Sequence, residues 1–179
     1  PRPPAGEPPG GGPRRGTGEG GARRHIRDMS YSNVWSSRRA PVIRLYWAFF
    51  KRMPDLGGLN YWVSQLAAGR SLQWIASKYA ESSEFRNTYG SLSNGAFVTL
   101  VYQNVLERDP EAGGLAYWTE QLNRRLRTRG DVMTGFSESS EGRRFMTPQT
   151  DVILIHLGML RVLPTKGHFD AYTAVLQAG

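Results

Sequence analysis

The side chains best placed for chemistry in this sequence are four glutamates, a set of arginines and two Tyr-Trp pairs. Glu81 and Glu84 recur as Glu138 and Glu141, each pair inside the tetrapeptide Glu-Ser-Ser-Glu. Three residues apart on a helix, two carboxyls lie side by side, the raw material of an acid–base pair. A Ser-Ser-Glu string is more simply a helix cap with an acidic first turn, and a catalytic pair has no need to recur at the same place in each copy. The histidines at 25, 156 and 168 make no His-x-x-x-His ligand pair, and the absence of cysteine excludes disulfides and thiolate metal sites. No phosphate-binding glycine loop, dinucleotide fingerprint, nucleophile elbow or calcium loop occurs. These residues point away from an enzyme and call for no metal or cofactor.

Binding chemistry is better represented. Tyr61-Trp62 and Tyr117-Trp118 offer flat aromatic faces of the kind that stack on sugar rings. Each Trp falls on an apolar helical stripe and is expected in the core. The tyrosines, about 100° round the helix, are the better surface candidates. Arg124, Arg125, Arg127 and Arg129 form a basic cluster where the first copy has Ala67-Ala-Gly-Arg70, either a solvated loop or an anion-binding patch. It lacks interleaved aromatics, which counts against single-stranded nucleic acid. Arg129-Gly-Asp131 spells an integrin tripeptide, but Thr128 before it reads as a helix N-cap.

Behind these residues stands an internal duplication. Arg52-Met-Pro-Asp-Leu-Gly-Gly-Leu-Asn-Tyr-Trp62 returns 56 residues later as Arg108-Asp-Pro-Glu-Ala-Gly-Gly-Leu-Ala-Tyr-Trp118, preceded by Tyr46 and Tyr102. The match resumes, with one residue inserted, at the Glu-Ser-Ser-Glu segments. A worn third copy closes the chain at Pro164-Thr-Lys-Gly167, with Phe169 and Tyr172 where Leu115 and Trp118 would fall. Arg52, Pro54, Asp55, Gly58 and Trp62, with Arg108, Pro110, Glu111, Gly114 and Trp118, are read as a structural motif, a compact turn that starts a helix. Each arginine is expected to reach a glutamate of its own Glu-Ser-Ser-Glu segment or a helix-end carbonyl.

The apolar spacing is helical throughout. Leu59, Trp62, Val63 and Leu66 share one face, as do Leu72, Ile75, Ala76 and Tyr79; Phe97, Val101 and Val105 make another stripe, and Leu115, Trp118 and Leu122 another. Asp55, Glu111, Ser71, Ser93, Thr128 and Thr147 are N-cap candidates, Thr147 with a proline at the first helical position; Gly69 and Gly90 read as stops. The expected fold is all-α, a compact domain of about eight or nine short helices. Repeat 1 spans about 42–94, repeat 2 about 95–147, and a degenerate cap 148–179.

Residues 1–40 are rich in Pro, Gly and Arg and are read as a disordered arm ahead of a helical domain over 41–179, with Tyr31, Val34 and Trp35 packing at its start. The arm contributes +5 of the net charge of +8, so the folded part is nearly balanced and nucleic acid is an unlikely partner. The longest apolar run, Val152–Leu163, falls short of the roughly 20 residues a membrane span needs. The chain opens on proline, so it is read as a processed or excised piece with any signal peptide out of view.

The quoted motif resembles a bacterial family of uncharacterised domains, DUF4214, whose signature is similar to Tyr-x(5)-Arg-x-Pro-(Asp/Glu)-x-x-Gly-Leu-x-Tyr-Trp, followed by Ser-x-Glu-Phe and a second copy. Both copies here fill it, and Phe85 fits the tail, whereas Gly142 departs from it. The resemblance implies an all-helical module of secreted or surface proteins, distantly similar to the linker domains of phycobilisomes, with no catalytic residue to carry over. The expectation is a non-catalytic binding or assembly module at the bacterial cell surface or outside the cell, engaging a protein partner or the envelope. The alternative is a lectin-like module that binds surface glycans through Tyr61, Tyr117 and the arginine cluster. An apolar patch around Trp35, Trp47 and Phe50 would favour the protein partner. Oligomeric state is left open.

Overall fold

The computed structural model describes residues 34–178, with side chains from Ser36 onward. Within them the chain is helical, without strands: α1 Val34–Phe50, α2 Leu56–Ala67, α3 Leu72–Ala80, α4 Ser83–Tyr89, α5 Asn94–Leu106, α6 Ala112–Asn123, α7 Arg129–Ser137, α8 Ser140–Leu160 and α9 Lys166–Ala178. The first unit is α1–α4. The second is α5–α7 with the first two turns of α8. The third is the rest of α8 with α9.

The helix starts follow the local chemistry. Asp55 accepts from the Gly58 N–H at 2.7 Å, Ser71 from Trp74, Ser82 from Phe85, Ser93 from Ala96 and Ser139 from Gly142. Thr128 and Asp131 close a reciprocal capping box, so Arg129-Gly-Asp131 is a helix start. Lys51, Glu107 and Arg161 hold the same register at the ends of α1, α5 and α8, and all three are left-handed, with φ of 50°, 55° and 60°. The third unit therefore keeps the backbone of the motif turn although its arginine has become Val162.

Two expectations need correction, and the test posed by an apolar patch at Trp47 and Phe50 is answered. Helix α1 starts at Val34, ahead of the expected boundary at 41, and runs through Pro41; residues 1–33 and the Trp35 side chain lie outside the described residues. Thr147 is not an N-cap, because α8 passes through Thr147 and Pro148 without a break. The Thr147 hydroxyl donates back to the Arg143 carbonyl and Thr150 to Met146, while Gln149 and Thr150 are buried. In the first unit the equivalent stretch is a real break, where Gly90 turns out at φ 69°. Trp47 and Phe50 are not a surface patch either: Trp47 packs on Phe169 and Phe50 on Tyr79.

Helix α1 is the centre of the domain. Val42, Ile43, Leu45, Ala48 and Phe49 are buried, and it touches α2, α3, α4, α5, α7 and α8. Helices apolar on most sides are those surrounded by other elements.

The two full units meet through equivalent positions. Asn104 donates to the carbonyl of Ala48, its own counterpart, at 2.9 Å, and Lys51 pairs with its counterpart Glu107 at 3.6 Å. Between α3 and α7 a Cβ on Gly130 would come within 2.5 Å of the carbonyl of Gln73, again its counterpart. Contacts between like positions are what a two-fold relation produces, so the units pair as an internal pseudo-dimer.

Candidate functional site: the repeated motif and its exposed surfaces

In the first unit Arg52 makes a bidentate pair with Glu84 (Nε–Oε1 2.6 Å, Nη2–Oε2 2.8 Å), and its third nitrogen donates to the Met53 carbonyl. Its guanidinium also lies over the Tyr46 and Phe50 rings. The hydrogen bond to Glu84 holds the Arg52 pKa above its ordinary value against desolvation. The expected clamp is present.

The second unit closes differently because it carries Glu111 in place of Asp55. The longer side chain makes no cap hydrogen bond. It accepts instead from Arg108 at 2.8 Å and from the Tyr102 hydroxyl at 3.3 Å. Arg108 reaches Glu141 only at 3.5 Å. The bond from Arg108 lowers the Glu111 pKa below the usual carboxylate range, while desolvation raises the Tyr102 phenol.

Gly58 and Gly114 are there because a tyrosine hydroxyl occupies the space of a side chain. A Cβ at either would strike the Tyr46 or Tyr102 oxygen. The third unit solves the same contact otherwise: His156 stands at the tyrosine position and His168 at the glycine position, with rings 6.2 Å apart. A shorter aromatic on α8 makes room for a side chain on α9. His156 is buried, its Nδ1 3.0 Å from the Val152 carbonyl. The two histidines are twelve positions apart, which hid their proximity from any local motif.

All four repeat glutamates meet cations. Besides Glu84 and Glu141, Glu81 pairs with Lys78 at 2.8 Å. Glu138 takes a bidentate pair from buried Arg44 (2.7 and 2.6 Å) and a further contact from Arg143 at 3.0 Å. Arg44 ties the first unit to the second and lies outside the repeated motif; its one signal in the sequence is that it is charged where its counterparts Leu100 and Leu154 are apolar.

The structure splits the arginine cluster. Arg124, Arg125 and Arg127 are exposed, Arg124 within 3.8 Å of Glu120. Arg129 is withdrawn: it donates to the Leu92 carbonyl at 2.6 Å and to Asn94 at 3.2 Å, and lies over the Phe97 ring. It ties α7 to the start of α5 and the loop before it, and leaves the expected binding patch. Beside it, residues of α3, α4 and the start of α7 line an open cleft of about 480 Å³.

Tyr61 and Tyr117 are surface residues, 53% and 57% exposed, each held edge-on by the tryptophan after it (centroids 4.8 and 5.0 Å). Trp62 and Trp118 pack against the core, as their stripe requires.

With both copies of the turn in place, the sequence match can be set against the geometry. Residues 31–73 and 76–145 match the family described as "Domain of unknown function (DUF4214)". The chain belongs to the DUF4214 family. The matched stretch covers both complete units of this DUF4214 domain and stops within α8, ahead of the degenerate third. No curated protein and no solved structure matches the chain. Among the described residues no group of three or more His, Asp or Glu converges in the manner of a metal site, and no helix is long and apolar enough to cross a membrane.

Outside the motif tyrosines, most of the exposed large apolar side chains belong to the third unit, with Leu126 at 57% and Leu56 at 41% the exceptions among the described residues. Met159 and Leu160 are 63% and 60% exposed and Tyr172 is 52%, with Val162 and Val175 beside them in sequence. The sequence reading named Trp35, Trp47 and Phe50 as the place where an apolar patch would favour a protein partner. It missed this one because the third copy was treated as a cap.

Proposed function

We propose that this DUF4214 domain is a non-catalytic assembly module of a bacterial secreted or surface protein, and that it attaches to a protein partner through its third unit. The observation that carries the reading is the apolar end made by Met159, Leu160, Val162, Tyr172 and Val175. Clustered exposed apolar side chains mark sites where another surface docks. The motif residues of the other two units are, by contrast, engaged in holding those units together.

A second reading, a glycan-binding module, is supported by Tyr61 and Tyr117, exposed at equivalent positions and braced edge-on by tryptophans. One comparison separates the two. The full chain, Leu160→Asp and the double variant Tyr61→Ala/Tyr117→Ala are tested against extracts of the parent cells and against a glycan array. The assembly reading expects saturable capture of one protein, abolished by Leu160→Asp and indifferent to the tyrosines. Glycan binding that survives high salt and disappears with the tyrosines would replace it.

A further inference from the structure

Each of the first two units contains a socket with an aromatic ring driven into it. In the first, Tyr79 from α3 stands among Tyr46, Phe49, Phe50 and Trp62, with centroids 5.1, 5.6, 5.4 and 5.1 Å away. In the second, Phe136 from α7 stands 4.8 Å from Tyr102 and 5.6 Å from Trp118, with Val105 and Leu106 at the two phenylalanine positions. The register of the third copy puts His156, Met159, Leu160 and Tyr172 at the same four places, and His156 and Tyr172 are 5.7 Å apart. Met159, Leu160 and Tyr172 remain exposed, so no described side chain fills this socket as Tyr79 and Phe136 fill theirs.

The filled sockets specify what fits. Both rings arrive on a short helix, capped by Ser71 or Thr128, with an aliphatic residue four positions ahead of the aromatic: Ile75 before Tyr79, Val132 before Phe136. The charges specify the rest. Val162 replaces the clamp arginine, so an occupant needs no counterpart of Glu84 or Glu141. Arg161 takes the place where Lys51 and Glu107 pair with each other, but it is exposed and has no acidic partner within 4 Å among the described residues. A second folded copy cannot offer the rings that fill the first two sockets, since Tyr79 and Phe136 are buried in their own units.

We infer that the third unit receives a short amphipathic helix of a partner protein, carrying an aliphatic residue, an aromatic residue four positions later and an acidic group facing Arg161. This rests on the assembly reading above and names the chemistry of the partner. Helix-in-groove recognition works through such i, i+4 anchors.

The probe is a pair of stapled, dye-labelled helical peptides, one with the residues of α3 and one with those of α7, extended to 82 and 139. Each is titrated into the full chain by fluorescence anisotropy. Expected is saturable one-to-one binding by at least one peptide. It weakens at least tenfold when the peptide's aromatic residue is replaced by alanine, and again when the chain carries Leu160→Asp or Arg161→Glu. Because Leu160 and Arg161 are exposed, both variants melt like the parent by circular dichroism. Dependence on them also excludes a peptide that merely displaces its own copy inside the domain. No saturable binding, equal binding of the alanine peptide, or self-association of the chain that Leu160→Asp abolishes would overturn the inference. If the peptides fail while partner capture stays sensitive to Leu160→Asp, the occupant is wrong and the assembly reading stands.

Discussion

Tyr46, Gly58 and Trp62 in the first unit and His156, His168 and Tyr172 in the third are three positions of one repeat with opposite fates. In the first, the hydroxyl of Tyr46 lies over Gly58, Trp62 packs inward, and Tyr79 closes the group from the next helix. In the third, two imidazoles share the tyrosine–glycine contact, and Tyr172 faces solvent because no α3-like helix follows it within the described residues. The lesson is that this repeat buries its aromatic group only with a helix supplied after it. A unit that lacks the helix keeps its turn and exposes its apolar side chains.

The strongest way to break the comparison is to empty the filled sockets. Tyr79→Ala or Phe136→Ala should each lower stability by about 3–5 kcal/mol, read by chemical denaturation, whereas Tyr172→Ala should change it by less than about 0.5 kcal/mol. Equal costs in all three would mean the third socket is occupied. Next comes the pair that joins the units. Glu138→Ala leaves buried Arg44 without its bidentate partner, a loss of about 3 kcal/mol at the low end of buried-pair breakage because Arg143 also loses a contact only at the rim.

A double-mutant cycle sharpens the third-unit contact. His156→Tyr alone should destabilise by about 1–3 kcal/mol through crowding against His168, and adding His168→Gly should recover most of it, a coupling visible in melting temperatures. Additive effects would disprove the exchange.

The smallest effect is electrostatic and belongs to the second unit. The Glu111 pKa is lowered when folded, chiefly by Arg108. Its contribution is therefore present above the ordinary carboxylate pKa and lost as pH falls through the lowered value. Glu111→Gln should flatten the decline of melting temperature on acidification below about pH 4.5. An unchanged slope would show that the bond is not populated in solution.

Much of this was legible in the residues. The stripes of Leu59, Ile75, Tyr79, Phe97, Val101 and Val105 gave the buried faces, because helical spacing and burial are local properties of sequence. The caps at Asp55, Ser71, Ser93 and Thr128 were equally plain, since a short oxygen-bearing side chain needs only its own first turn as partner. Glu111 was harder to read: one methylene more redirects the carboxylate from the helix start to Arg108, and the redirection depends on where Arg108 sits. Thr147-Pro148 carried the signature of a start and became the middle of a helix. Proline forfeits one hydrogen bond there, while burial of the turn that follows holds the helix together.

By itself, then, the sequence settled the helices, the duplicated turn with its arginine clamp, and the family. These follow from period, capping and repetition within a few tens of residues. Tertiary structure alone decided which residues of the arginine cluster are exposed, that Arg44 joins the two units while Arg129 is withdrawn onto α5, that His156 and His168 meet, and that the third socket is open. Each of those depends on which surface another helix covers, and that is fixed by packing between segments far apart in the chain.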